Sequence, residues 1–147
     1  MEQLKITAEQ AAFHELGHAL AGLDQGLDIY GVVIIDEGLS WGGLTHCTDD
    51  VPDELIKAYL TFLAAGPEAS LVHCERTGAA VQDFAHDDRP HHAEVIRYAE
   101  AKNILGLPSW EMSSSDARGL VTQLWPRITD LVPVLVEKRS LTVGELR

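Results

Sequence analysis

The sequence predicts a mostly α-helical fold with a small β-sheet, an α+β architecture, in a single domain over residues 1–147. Three observations lead there. Apolar residues recur at helical spacing along most of the chain. β-Branched residues concentrate in one short run, "IYGVVII" at 29–35. No internal repeat, low-complexity linker or shift in composition divides the 147 residues, a length that suits one well-buried core.

The stretch "TAEQAAFHELGHALAGLDQG" (7–26) predicts the first helix. Thr7 and Gln10 are spaced as a capping box, which satisfies two orphan backbone donors. Ala12, Leu16, Ala19, Leu20 and Leu23 supply one apolar face, and Gly26 supplies a stop. Residues 29–35 predict a strand, and Asp36–Gly38 and Gly42–Gly43 punctuate the chain before a second, shorter strand at Leu44–Cys47. Pro52 opens a second helix with Leu55, Ile56, Tyr59, Leu60, Phe62 and Leu63 on its buried side. Gly66–Pro67 is expected to kink or restart it. A loop leads to a third helix, from near Asp88–Pro90 to near Gly106. The remaining tail is helical, with Ser113–Ser115 ahead of one segment and Pro126 and Pro133 interrupting it.

Charge and composition exclude several function classes. With 23 acidic against 11 basic side chains, the net charge is -12, which disfavours nucleic acid and anionic lipid as partners. It also weighs mildly against acidic substrates. No apolar run approaches the roughly 20 residues of a membrane span, and the polar start "MEQLKITAEQ" does not read as a secretory signal. Two cysteines, Cys47 and Cys74, do not make a disulfide framework, so a reducing cytoplasm is the expected location. His46, Cys47, His73 and Cys74 have the residue types of a structural zinc site. Neighbouring residues on a strand point to opposite faces, however, so ordinary packing is the better reading.

The chemistry-bearing motif is His14-Glu15-Leu16-Gly17-His18. On a helix, residues four apart project from one face, so the two imidazoles can share one Zn²⁺ ion. The glutamate after the first sits beside the metal, where it can take a proton from bound water. The plainer reading is a chance pattern on a core helix. Gly17 argues against it, because a mid-helix glycine costs about 1 kcal/mol and is tolerated where another backbone must come close. Burying His, Glu and His among apolar neighbours is also costly unless they find partners.

With these residues in view, the chain resembles the peptidase domain of the FtsH-type ATP-dependent zinc metalloproteases. "HELGHALAG" (14–22) is similar to the family's zinc helix, and "YGVVIIDEGLSWGGLTH" to its strand and glycine-containing segment beside the substrate cleft. "LTFLAAGPEASLVHCERTG" and "LVPVLVEKRSLTVGEL" resemble its following and closing helices. The similarity therefore runs in order through most of the chain. No G-x-x-x-x-G-K-[ST] phosphate loop occurs. The ATPase module and membrane anchor of the family are not represented, and no ATP-driven unfolding is expected.

The resemblance implies a third zinc ligand in the first turn of a later helix, within "TGAAVQDFAHDDRPHHAEVIRYA" (77–99). Aligning on the helix start favours Asp88, with Asp87 next door, and the helix dipole suits a carboxylate there. Aligning on Ala99 puts His91 at the ligand position instead. Asp83 sits at nearly family spacing but ahead of the helix, and Glu68 falls two positions early for the family's later acidic residue.

The resulting expectation is a zinc metallopeptidase that cuts peptides or unfolded segments. Zinc is expected on His14, His18 and either Asp88 or His91, with Glu15 as general base. The exposed edge of the 29–35 strand, at Val33, Ile34 and Ile35, is expected to bind substrate by strand addition. Trp41 reads either as a lip over the cleft or as a core contact. Two alternatives stand beside this: a weak or inactive peptidase-like protein serving as a binding or regulatory module, and a purely structural zinc.

Overall fold

The protein is described by a computed structural model over residues 5–147. Met1–Leu4, part of the polar start weighed against a secretory signal, lie outside the described residues. Among the described residues, five α-helices, a short 3-10 turn (Asp53–Leu55) and a three-stranded antiparallel sheet make up the architecture: α1 (Ala8–Asp24), β1 (Ile29–Asp36), β2 (Trp41–Cys47), α2 (Ile56–Thr77), α3 (Asp88–Ala101), α4 (Trp110–Lys138), β3 (Ser140–Thr142) and α5 (Val143–Leu146). The expected α+β class is observed.

The first helix forms as its caps dictate. The Thr7 hydroxyl accepts from Gln10 N–H, and the Gln10 side chain accepts from Thr7 N–H, which completes the capping box. At the other end Gly26 takes a φ of 82°, the left-handed conformation that favours glycine.

Between the two ends, α1 packs against α2 so closely that side chains must vanish. A Cβ on Gly17 would stand 2.6 Å from Ala69 Cβ and 2.7 Å from the Ala65 carbonyl oxygen. A Cβ on Gly66 would overlap the His18 ring, 2.2 Å from its Nε2. Each helix therefore offers a glycine to the other, and the core closes around Leu16, Leu60, Val121, Ile128 and Leu135, all essentially inaccessible to water. Phe13 joins α4 to this core by stacking on Trp125, with ring centres 5.2 Å apart.

Helix α2 is apolar enough, over Asp53–Thr77, to match a membrane span by length and composition, contrary to the sequence expectation. Its apolar window is 67% buried within the protein, so the composition reflects its place at the centre of the core.

Three further expectations are corrected. Helix α2 runs continuously through Gly66 and Pro67 with no restart. Helix α4 runs 29 residues through Pro126 and Pro133, and it starts at the Ser109 cap, so Ser113–Ser115 lie inside it. Both α4 prolines are on the exposed side, while Trp125, Ile128, Val132 and Leu135 bury the opposite side. The third correction concerns the sheet. Its strand order is β2-β1-β3, so β1 is central and not at an edge. Val33 pairs with Leu44 on one side and Ser140 on the other, and Ile34 N–H donates to the Arg139 carbonyl. Gly31 permits the closeness of β3, since a Cβ there would lie 2.8 Å from the Leu141 oxygen.

The His-Cys cluster, which the sequence disfavours against ordinary packing, does not form among the described residues. Both cysteines are free, His73 stacks on Phe13 at 4.1 Å, and Cys74 donates to the Ala80 carbonyl. Burial pushes both thiols above their ordinary pKa.

Two outcomes follow from this packing. Gly17→Ala is expected to lower unfolding free energy, measured by urea titration with chelator present, by about 2–3 kcal/mol through overpacking. A loss under about 0.5 kcal/mol would show that the helices separate freely. The second outcome concerns His92, which is 2% exposed and hydrogen-bonded through Nε2 to Ser113 Oγ at 2.9 Å. Burial depresses its pKa below 6.5. Its contribution to stability is therefore fully present above pH 6.5 and is lost as pH falls from there towards its value in the fold. Unfolding curves of wild type and His92→Gln should converge on acidification through that range, and parallel pH profiles would contradict it.

Candidate metal centre

Two helices bring together the side chains that matter. His14 and His18 stand one turn apart on α1, and Asp88 is the first residue of α3. Their facing atoms form a nearly equilateral triangle. His14 Nε2 lies 3.1 Å from His18 Nε2, and Asp88 Oδ2 lies 3.2 Å from each. Among the described residues this is the one cluster of three or more potential ligands.

The opposite face of each imidazole is anchored. His18 Nδ1–H donates to the Phe62 carbonyl at 2.7 Å, which leaves the Nε2 lone pair for the triangle. His14 Nδ1 is 3.1 Å from Ser70 Oγ, with the same consequence when it donates. His18 is buried on the floor of the site against Gly66, while His14 and Asp88 are half-buried.

Two nitrogen lone pairs and a carboxylate oxygen converging in this way require a shared cation. A proton can serve. Burial opposes charge on His18, but Asp88 and Glu15 outweigh it and raise its pKa to about 9. Asp88 is likewise opposed by burial, yet the two histidines hold its carboxyl far below the usual carboxylate range. A metal ion can serve as well. Nitrogen and oxygen ligands about 2.0–2.1 Å from a tetrahedral zinc stand about 3.3 Å from one another, close to the spacing observed. The donor set and the anchored rings fit zinc.

Glu15 flanks the triangle on the side of the sheet. Thr45 Oγ1 donates to Glu15 Oε1 at 3.0 Å, and the second carboxylate oxygen has no protein partner among the described residues. Gly43 makes this possible, because a Cβ there would lie 2.6 Å from Glu15 Cγ. The expectation that glycines 42 and 43 merely punctuate the chain is thus too weak. They lie within β2, and Gly43 is the surface on which Glu15 rests.

These groups open into a cleft of about 1210 Å³, with Trp41, Leu44 and Thr45 on one wall and Tyr59, Phe84 and Asp87 on others. Val33, Ile34 and Ile35, expected to bind substrate, do not line it. The available edge is the outer side of β2. Since Ile34 turns its backbone to β3, Val33 and Ile35 face β2, and the alternation leaves Gly43 and Thr45 directed outwards beside the cleft. Trp41 combines both of its expected roles: it lines the cleft and packs partly on the core, with the Arg139 guanidinium 4.4 Å from its ring centre.

The remaining ligand candidates are separated from the triangle. His91 lies on the same helix as Asp88, but its Nε2 is hydrogen-bonded to Tyr59 Oη at 2.9 Å and it is outside the ligand cluster. Asp83 and Asp87 line the cleft without joining the cluster, and Glu68 is paired with Arg118 at 2.8 Å. Ser70 and Thr45, the hydroxyls that hold His14 and Glu15, were not singled out from sequence. Both are separated from their partners by tens of residues, and no local pattern marks them.

Compared with known proteins, the chain matches no protein-family model and no curated protein sequence.

The geometry distinguishes Asp88 from His91 as ligand. Elemental analysis of zinc-equilibrated protein should find about one zinc per chain in wild type and in His91→Ala, and a loss in Asp88→Ala and His14→Ala. Retention in Asp88→Ala with loss in His91→Ala would reverse the assignment. Since a proton competes for His18, zinc affinity should also fall as pH is lowered.

Proposed function

We propose that this protein is a zinc-dependent metallopeptidase, of the FtsH-like kind, that hydrolyses peptide bonds in peptides or unfolded segments. The observation carrying the reading is the triangle of His14, His18 and Asp88 with Glu15 beside it at the wall of an open cleft. The ordered sequence resemblance to the FtsH-type peptidase domain, including a carboxylate at the start of a later helix, supports it.

His14, His18 and Asp88 would hold the zinc, whose Lewis acidity would polarise the scissile carbonyl and acidify an attacking water. The chain's own residues do the rest. Glu15 accepts the proton of that water on its free carboxylate oxygen and returns it to the departing amine nitrogen. Thr45, by donating to Oε1, keeps the carboxylate turned to the cleft. Ser70 and the Phe62 carbonyl hold the two imidazoles in the tautomer that faces the triangle. The outward N–H and C=O groups of Gly43 and Thr45 offer an extended peptide the hydrogen bonds of an added strand, which lays its backbone past Glu15. Such an edge accepts only unfolded backbone, which is why the proposed substrates are peptides and unfolded segments.

Glu15→Gln separates catalysis from metal binding. It should retain about one zinc per chain while hydrolysis of an unfolded fluorogenic protein falls by about 10³-fold. Undiminished activity in this variant would exclude Glu15 as base. Zinc-loaded wild type that cuts no unfolded substrate would overturn the peptidase reading in favour of a binding or regulatory module.

A further inference from the structure

His91 is not a ligand, yet it stands at the cleft in contact with a second polar group. Its Nε2 and the Tyr59 Oη are 2.9 Å apart, both residues line the cleft, and their rings meet edge to face at 5.8 Å. Tyr59 is one helical turn before Phe62 on α2, and the two rings stack at 5.4 Å. Phe62 in turn holds His18 through its carbonyl. His91 is one turn after Asp88 on α3. His91 thus shares α3 with Asp88, and Tyr59 shares α2 with Phe62, whose carbonyl holds His18.

Hydroxyl donors on the cleft wall are few. Thr45 donates to Glu15, Ser70 is held against His14, and Ser40 is held by Ile6 N–H on the connection between β1 and β2. Tyr59 is the fourth, and its partner can serve as donor. When His91 Nε2–H points at Oη, the phenolic proton is free to face the cleft. Burial, with the carboxylates of Asp88 and Asp49 nearby, pushes the Tyr59 pKa up to about 12, so the hydroxyl keeps its proton.

We propose that the Tyr59 hydroxyl, positioned by His91, donates a hydrogen bond to the substrate carbonyl oxygen as that oxygen takes on negative charge. Tyr59 is then a catalytic residue and His91 a positioning residue. This rests on the peptidase reading above. It adds a donor that strengthens in the transition state, the kind of contact that raises kcat without tightening substrate binding.

The test uses the zinc-loaded full chain and two probes: a cleavable peptide, and a phosphinate peptide whose tetrahedral anionic centre stands for the charged carbonyl. Tyr59→Phe should keep its zinc content, its melting temperature and a KM within twofold of wild type. Its kcat should fall by about 10²-fold, the loss typical of one such donor. Its calorimetric affinity for the phosphinate should fall in parallel, while affinity for the uncleaved peptide, measured in the Glu15→Gln background, stays unchanged. His91→Leu should show a smaller loss of the same kind, and His91→Gln, which retains an N–H donor, should recover most of it. A Tyr59→Phe protein with kcat and phosphinate affinity near wild type overturns the inference and leaves the peptidase reading intact. So does one that loses its zinc, since Tyr59 would then be a support of the ligand cluster. A wild type that holds zinc but neither cuts peptide nor binds phosphinate removes both.

Discussion

The close approach of α1 and α2 is the constraint on which the rest of the molecule depends. Two glycines, one from each helix, bring the backbones together, and the His18 ring occupies the space that a side chain on Gly66 would take. This contact buries His18 and sets its Nδ1 against the Phe62 carbonyl, so its Nε2 can face only His14 and Asp88. Interior packing is dense enough that a methyl group in this seam would shift the histidine as well as the helix. Packing and site chemistry are therefore one feature here.

Electrostatics makes the same seam directional. His18 is buried, which disfavours its charge, yet Asp88 and Glu15 bring enough negative potential to reverse the preference. A buried cluster of this composition is stable only with a positive species at its centre, a proton or a metal ion. The start of α3 suits the role of Asp88 for a related reason, since the helix dipole favours a carboxylate at its first turn. The sheet completes the arrangement from the other side, with Gly43 and Thr45 seating Glu15 at the wall of the cleft.

Much of this was legible in the residue order. The capping box at Thr7, the helical period of α1 and the His14–Glu15–His18 spacing are local patterns, and local backbone physics realises them without help from the rest of the chain. The β-branched run at 29–35 formed its strand for the same reason. What was misjudged depended on distant partners. Strand β3 has three residues, too few to show a period, and exists because β1 is there to receive it. Its presence converts β1 from an edge into a centre and moves the free edge to β2. The prolines of α4 read as breaks because local propensity disfavours them, but a long buried face on the opposite side outweighs that cost.

The sequence by itself determined the α+β class, the first helix and the two histidines and glutamate that face one way along it, because these follow from spacings of four residues or fewer. Only the tertiary structure decided which distant carboxylate joins them. Asp88 and His91 share a helix and are three residues apart, a difference that alignment on sequence could not resolve. The packing of α3 turns Asp88 to the two imidazoles and gives His91 to Tyr59. Selection of the third member of the cluster is a matter of helix position across a gap of 70 residues between His18 and Asp88, and such a position is set by the core between the helices.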